Sequence, residues 1–166
     1  MKRIANILVP CDFSDDSIKS IQYAVELAES VKASITVVHV INQRDLVAVT
    51  EAMSRVSAFG GGASMSIDQY LDQLKNERSH LIQKLLGDTM AAGRPVKKII
   101  RVGVPFRELL KAVHESGADL VVMGTKGRSN LAEVVFGSTA DKVLRHCPVP
   151  LLSIRSKAAD AQHGKE

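Results

Sequence analysis

The sequence predicts an α/β fold, an open five-stranded parallel sheet with helices on both faces. Three observations carry this. Short apolar, β-branched runs alternate along the chain with segments of helical periodicity, which implies parallel strands joined by right-handed crossovers. The runs at residues 4–9 and 119–123 are apolar on successive positions, as strands buried on both faces are. The second of these runs leads directly into a glycine turn, Gly124-Thr125-Lys126-Gly127, at the strand end where such sheets bind ligands.

Residues 4–9 form the first predicted strand, and Pro10-Cys11-Asp12-Phe13-Ser14 breaks it. Ser14 is the expected N-cap of a helix reaching to about residue 30, with Asp15 and Asp16 at its positive end. Ile18, Ile21, Tyr23, Val25 and Leu27 are its expected apolar positions. Residues 34–41 are β-branched and read as strand two. Weak helical spacing through Leu46, Val49, Met53 and Val56 follows, and then a flexible Gly60-Gly61-Gly62 stretch. A long helix comes next, with Tyr70, Leu71, Leu74, Leu81, Leu85 and Leu86 as its stripe, ended by Gly93 and Pro95. Residues 98–102 are strand three. Gly103-Val104-Pro105 opens a short helix over 106–116, with Pro105 suited to its first turn. Residues 119–123 are strand four. A helix is expected over 131–145, bent or restarted at Gly137-Ser138, before strand five at 149–154.

The length of 166 residues fits a single domain over 1–155, with a polar tail at 156–166 that is expected to fray. A 45% hydrophobic, 24% charged composition is that of an ordinary globular chain. The net charge of +4 is spread rather than clustered, and only 4% of residues are aromatic, so a nucleic-acid surface is not expected. Cys11 and Cys147 lie at neither zinc-finger nor CxxC spacing and read as reduced, packed thiols. No run approaches a membrane span, and the N-terminal apolar run is too short for a signal peptide. The expected location is the cytoplasm, with no membrane partner.

The chemistry concentrates in two turns. Gly124-Thr125-Lys126-Gly127 is followed, after nine intervening residues, by Gly137-Ser138-Thr139. Glycines let backbone N–H groups approach a ligand closely, and two such sets could converge on one anion. Asp12 lies past the end of strand one. If strands one and four are neighbours, Asp12 and both turns face one crevice. The blander readings are tight turns that only pack a helix on the sheet, and an Asp12 that only begins an Asx turn. Lys126 and Arg128 flank the first turn as candidate anion contacts. His39 reads as structural, and His146 beside Cys147 has no further ligand nearby. Residues 42–66 are either a mobile lid or an excursion without a role.

Taken together, these residues resemble the universal stress protein family, and within it the ATP-binding branch. Gly124, Gly127, Gly137 and Ser138 match that family's glycine signature without departure. Ile7-Leu8-Val9-Pro10-Cys11-Asp12, Val37-Val38-His39-Val40, Val102-Gly103-Val104-Pro105 and Cys147-Pro148-Val149-Pro150 are similar to its other segments, over residues 4–154. The resemblance implies a Rossmann-like fold of the nucleotide alpha-hydrolase-like kind. It implies that Asp12 faces the ribose, that the Val40 backbone bonds the adenine edge, and that Pro10 and Met123 line the nucleoside slot. Gly124 would lie near the ribose, and Gly127, Arg128, Gly137, Ser138 and Thr139 would wrap the phosphates. Mg²⁺ or Mn²⁺ would ride on phosphate oxygens and water rather than on protein ligands.

The function expected is an ATP-binding regulatory protein of the stress response, a nucleotide-dependent switch with at most slow hydrolysis. No residue is placed as an obvious general base for phosphoryl transfer. Two alternatives stand beside it: an ATP-hydrolysing or adenylyl-transferring enzyme, and a nucleotide-independent dimeric interaction module. Against the enzyme, the chain lacks both a Walker lysine motif and the serine-glycine-glycine turn of pyrophosphate-releasing ligases. An apolar strand five at a sheet edge would pair with its copy in a homodimer. A further protein partner is expected but not identified.

Overall fold

A computed structural model describes residues 3–58, 66–89, 96–127 and 137–155. Its strands are β1 (Asn6–Pro10), β2 (Ser34–Asn42), β3 (Val96–Gly103), β4 (Leu120–Gly124) and β5 (Leu151–Ile154). They form one sheet in the order β3-β2-β1-β4-β5, with every neighbouring pair parallel. The helices are α1 (Asp15–Val31), α2 (Gln43–Ala58), α3 (Ile67–Thr89), α4 (Pro105–Ser116) and α5 (Ser138–His146).

The period of two in β1 divides the core. Ile7 and Val9 point to one face, where Ile21, Ala24 and Ala28 of α1 and Ile82 and Leu86 of α3 cover them. Leu8 points to the other face, under Leu109, Ala112 and Val113 of α4 and Ala140 and Val143 of α5. Each fully buried aliphatic side chain here contributes about 1.5–3 kcal/mol relative to an exposed one. The central strands β1 and β4 are buried on both faces, which is why they read as unbroken apolar runs.

Local signals set the helix ends as expected. Ser14 Oγ accepts the N–H of Ser17 at 3.3 Å and caps α1. Pro105 opens α4, and Gly117 closes it in the left-handed conformation. Several details differ from the sequence reading. β3 is longer at both ends, and β5 begins only at Leu151. Tyr23 is 53% exposed because the buried face of α1 runs through Ile21, Ala24, Val25 and Ala28, where small residues allow close packing. In α3, Leu81 is exposed and Ile82 is fully buried in its place, while Leu85 and Leu86 lie in the core as expected. Residues 43–58 are helical, as the weak spacing from Leu46 onward predicts, with the start two residues earlier. The triple glycine, Gly93, Pro95, residues 131–136 of the expected last helix and the tail at 156–166 lie outside the described residues. No helix among the described residues is long and apolar enough to cross a membrane.

α4 is tied to the edge strand β3 by charge. Arg101 lies 3.4 Å from Glu108 and also pairs with Glu115, while Lys111 donates to Glu108 at 2.7 Å. The Lys111 ammonium, helped by Arg101 and opposed by partial burial, holds the Glu108 carboxyl below the usual carboxylate range. A carboxyl with a depressed folded pKa contributes stability that is fully present above its unfolded pKa and is lost as the pH falls through the folded one. Glu108→Gln is therefore expected to lower the melting temperature at pH 7, with the gap from wild type closing below about pH 4. A gap of constant size in thermal scans from pH 7 to pH 3 would show that the charge of Glu108 contributes nothing.

Candidate functional site

The chain leaves β1 in one direction toward β2 and β3, and later fills the other side with β4 and β5. The reversal lies between β1 and β4, which pair through Ile7–Leu120 and Leu8–Val121. A crevice opens at such a switch point, beyond the C-terminal strand ends. Here it is a cavity of about 530 Å³.

One end of the cavity is polar backbone. Gly127, Gly137, Ser138 and Thr139 line it. The N–H of Gly137 donates to Thr125 O at 2.8 Å, so the two glycine turns are joined directly. Gly137 is also the N-cap of α5 and has no side chain to cap it. The first-turn N–H groups of α5, at the positive end of its dipole, therefore stand beside the Gly127 turn. A side chain at Gly127 would collide with Asp12, since a Cβ there would lie 2.8 Å from Asp12 Oδ2.

Asp16 holds this end together. It is buried at the start of α1, and its Oδ2 accepts the N–H of Lys126 at 3.1 Å and the hydroxyl of Thr125 at 3.3 Å. The sequence reading had assigned Asp16 only to the helix dipole. Contact is so close that a Cβ on Gly124 would lie 2.6 Å from Asp16 Cβ. Gly124 does line the cavity, but its lack of a side chain answers to α1 packing. Asp16→Ala would leave the buried Thr125 hydroxyl and the Lys126 N–H without this acceptor. It is expected to cost about 2–3 kcal/mol in denaturant unfolding. A loss under about 0.5 kcal/mol, the scale of an ordinary surface substitution, would remove Asp16 from this role.

Asp12 lines the cavity beside Gly127. Its Oδ1 accepts the Ser14 N–H at 3.0 Å and the Ser14 hydroxyl at 2.5 Å. The Asx turn considered from sequence is therefore present, and Ser14 caps α1 as well. Oδ1 is occupied locally, while Oδ2 is the oxygen nearest Gly127. Phe13 between them has φ +65°, a left-handed conformation that costs a bulky residue about 1–2 kcal/mol. Strain of this kind concentrates at functional sites. His39 is buried, and its Nδ1 lies 2.7 Å from Cys11 O, so that nitrogen carries the proton and the ring braces the turn. Burial pushes the Cys11 thiol up, which fits a packed, neutral sulfur.

The far end of the cavity is apolar, with Pro10, Val38, Val40, Pro105, Leu109 and Met123 as its walls. Of the residues singled out from sequence, Pro10, Asp12, Val40, Met123, Gly124, Gly127, Gly137, Ser138 and Thr139 all meet at this one cavity, and Lys126 joins them. Arg128 lies outside the described residues. Sequence reasoning missed Ser17, Asn42, Asp45, Leu109 and Ala140, which also line it. Leu109 and Ala140 had a signal, since each lies on the buried face of its helix next to a turn already under suspicion. Asn42 and Asp45 fall in the stretch 42–66 considered as a lid, but no local pattern singled them out, because only the course of the chain after β2 brings them here.

The family model described as "Universal stress protein family" matches residues 3–155. Universal stress protein MJ0577 of Methanocaldococcus jannaschii is 28% identical over 156 residues, covering 91% of this chain and 94% of that one. The solved structure of MJ0577 superposes with a TM-score of 0.76 at 24% identity, over 94% of this chain and 99% of the other. A universal stress protein in complex with cAMP gives a TM-score of 0.58 at 18% identity, covering 93% of this chain and 98% of the other. One from Archaeoglobus fulgidus in complex with dAMP gives 0.54 at 18%, covering 92% and 99%. At these identities the superpositions speak for the fold.

Proposed function

We propose that this chain, which belongs to the universal stress protein family, is an ATP-binding regulatory protein whose bound nucleotide biases a conformation or a partner surface. The observation that carries the reading is the 2.8 Å bond from Gly137 N to Thr125 O. It brings the uncapped start of α5 and the Gly127 turn to one end of one cavity, an arrangement suited to phosphate oxygens. The cavity, at about 530 Å³, falls within the range of about 300–1,000 Å³ typical of small-molecule sites. Its apolar end suits a base, with the Val40 backbone at the base edge. Asp12, beside Gly127, suits sugar hydroxyls. The complexes of two relatives with cAMP and dAMP favour an adenine nucleotide.

Gly127, Gly137, Ser138 and Thr139 would hold the phosphates, with Arg128 beside them. A divalent cation fits as a phosphate-borne ion that keeps its waters, since Asp12 and Asp45 are the carboxylates lining the cavity among the described residues. Asp12 Oδ1 already accepts two hydrogen bonds, which suits a positioning carboxylate better than a general base. Hydrolysis in this reading is slow, and the protein acts in the cytoplasm during stress.

The test is to release and identify any nucleotide from freshly purified protein, then to titrate ATP with Mg²⁺ by calorimetry. Saturable binding of an adenine nucleotide is expected. Its absence from both measurements would leave a nucleotide-independent interaction module.

The same reading includes a homodimer. β5 pairs with β4 on one side only, and its outer edge is open among the described residues. An unpaired apolar edge favours pairing with its own copy about a two-fold axis. Sedimentation at micromolar concentration is expected to report a dimer, and Ser153→Pro, at a residue whose N–H faces the open edge, to shift it toward monomer. A wild-type monomer at that concentration would dispose of the dimer.

A further inference from the structure

A second cavity of about 240 Å³ lies on the opposite side of β2 from α4, between α2 and α3. Tyr70, Leu74 and Arg78 line one wall, four residues apart and so on one face of α3. Leu46 and Val49 of α2 line the other. Its floor is the Phe13–His39 ring pair, with centroids 4.9 Å apart, and the Arg78 guanidinium sits 5.7 Å above the Phe13 ring. Tyr70 and Leu74, of the predicted apolar stripe, both face this space.

The two cavities adjoin at one place. They share Asp12, Val40, Asn42 and Asp45, and none of Gly127, Gly137, Ser138 or Thr139. The shared wall therefore runs from Asp12, beside Gly127, to Val40, Asn42 and Asp45 on the β2 side of the first cavity. A volume of 240 Å³ is below that of a typical whole-ligand site and suits one ring or a short acyl chain. The walls are mainly apolar and aromatic, with one guanidinium able to donate to a carbonyl.

The geometry points to a second subsite for an apolar acyl or aroyl group carried on the ribose hydroxyls of the bound nucleotide. Asp12 stands at the junction, where the sugar faces both spaces. The subsite rests on the nucleotide reading above, since it needs the sugar at Asp12.

The test compares ATP with its 2′(3′)-O-(N-methylanthraniloyl) ester, both with Mg²⁺, on the full chain. The ester is expected to bind about tenfold more tightly than ATP, with enhanced fluorescence as its ring leaves water. Leu74→Trp fills the cavity without touching the first one. It is expected to remove that tenfold advantage while ATP affinity stays within about twofold. Val49→Phe fills it from the α2 wall and provides the same comparison if the first variant folds poorly. An ester that binds wild type no more tightly than ATP overturns the subsite. So does an advantage over ATP that survives in both variants. If wild type binds neither compound, the nucleotide reading itself fails and the subsite falls with it.

Discussion

Gly127→Glu is expected to weaken ATP binding at least about 100-fold, a loss of roughly 3 kcal/mol, while the chain stays folded. Two effects act in the same direction. The new Cβ would meet Asp12 Oδ2 at 2.8 Å, and Asp12 cannot swing aside freely because its other oxygen holds Ser14 N and Oγ. The new carboxylate also brings negative charge to the end of the cavity suited to anions, where low dielectric magnifies repulsion. Gly127→Ala keeps only the first effect and is expected to lose about tenfold. Calorimetric titration of both variants with ATP and Mg²⁺ measures this, and thermal unfolding checks that they fold. Wild-type affinity in Gly127→Glu would mean that the glycine turns serve packing alone.

Gly124→Ala is expected to act on stability first. Its Cβ would lie 2.6 Å from Asp16 Cβ and 2.9 Å from the Asp16 backbone carbon. The second of these belongs to the helix itself, so relief requires α1 to move away from β4. Overpacking of this kind costs about 1–3 kcal/mol, and the loss of the Asp16 hydrogen bonds to Thr125 and Lys126 adds to it. For a domain of this size the melting temperature should fall by about 5–12 °C. A shift under about 2 °C would show that α1 yields without cost. The two glycines of one turn are thus separable: position 127 is read out chiefly in affinity, position 124 chiefly in stability.

That separation also shows how far the sequence could be read. The glycine signature was visible, and so was its position after a buried strand. Nothing local distinguished Gly124 from Gly127, because the atoms that forbid a side chain at each belong to Asp16 and Asp12, far away in the chain. Asp16 was legible as an acidic residue in a first helical turn and was assigned the common role of such residues. Its hydrogen bond to Lys126 spans 110 positions, and no periodicity encodes a contact of that range. One position in the stripe of α3 differs for a related reason. Leu81 and Ile82 are equally apolar, and only the sheet beneath decides which of them is buried.

The sequence by itself determined the element types and their alternation, the cap at Ser14, the helix start at Pro105, and the spacing of the two glycine turns. These depend on side-chain period, backbone freedom and local hydrogen bonds, all of which act over a few residues. Tertiary structure alone decided that β1 and β4 are neighbours, that Gly137 bonds to Thr125, that Asp16 lies under the first turn, and that a second cavity opens beside Asp12. Strand order is a choice among packings that bury similar apolar area, so it is settled by the whole chain at once and is written in no single segment.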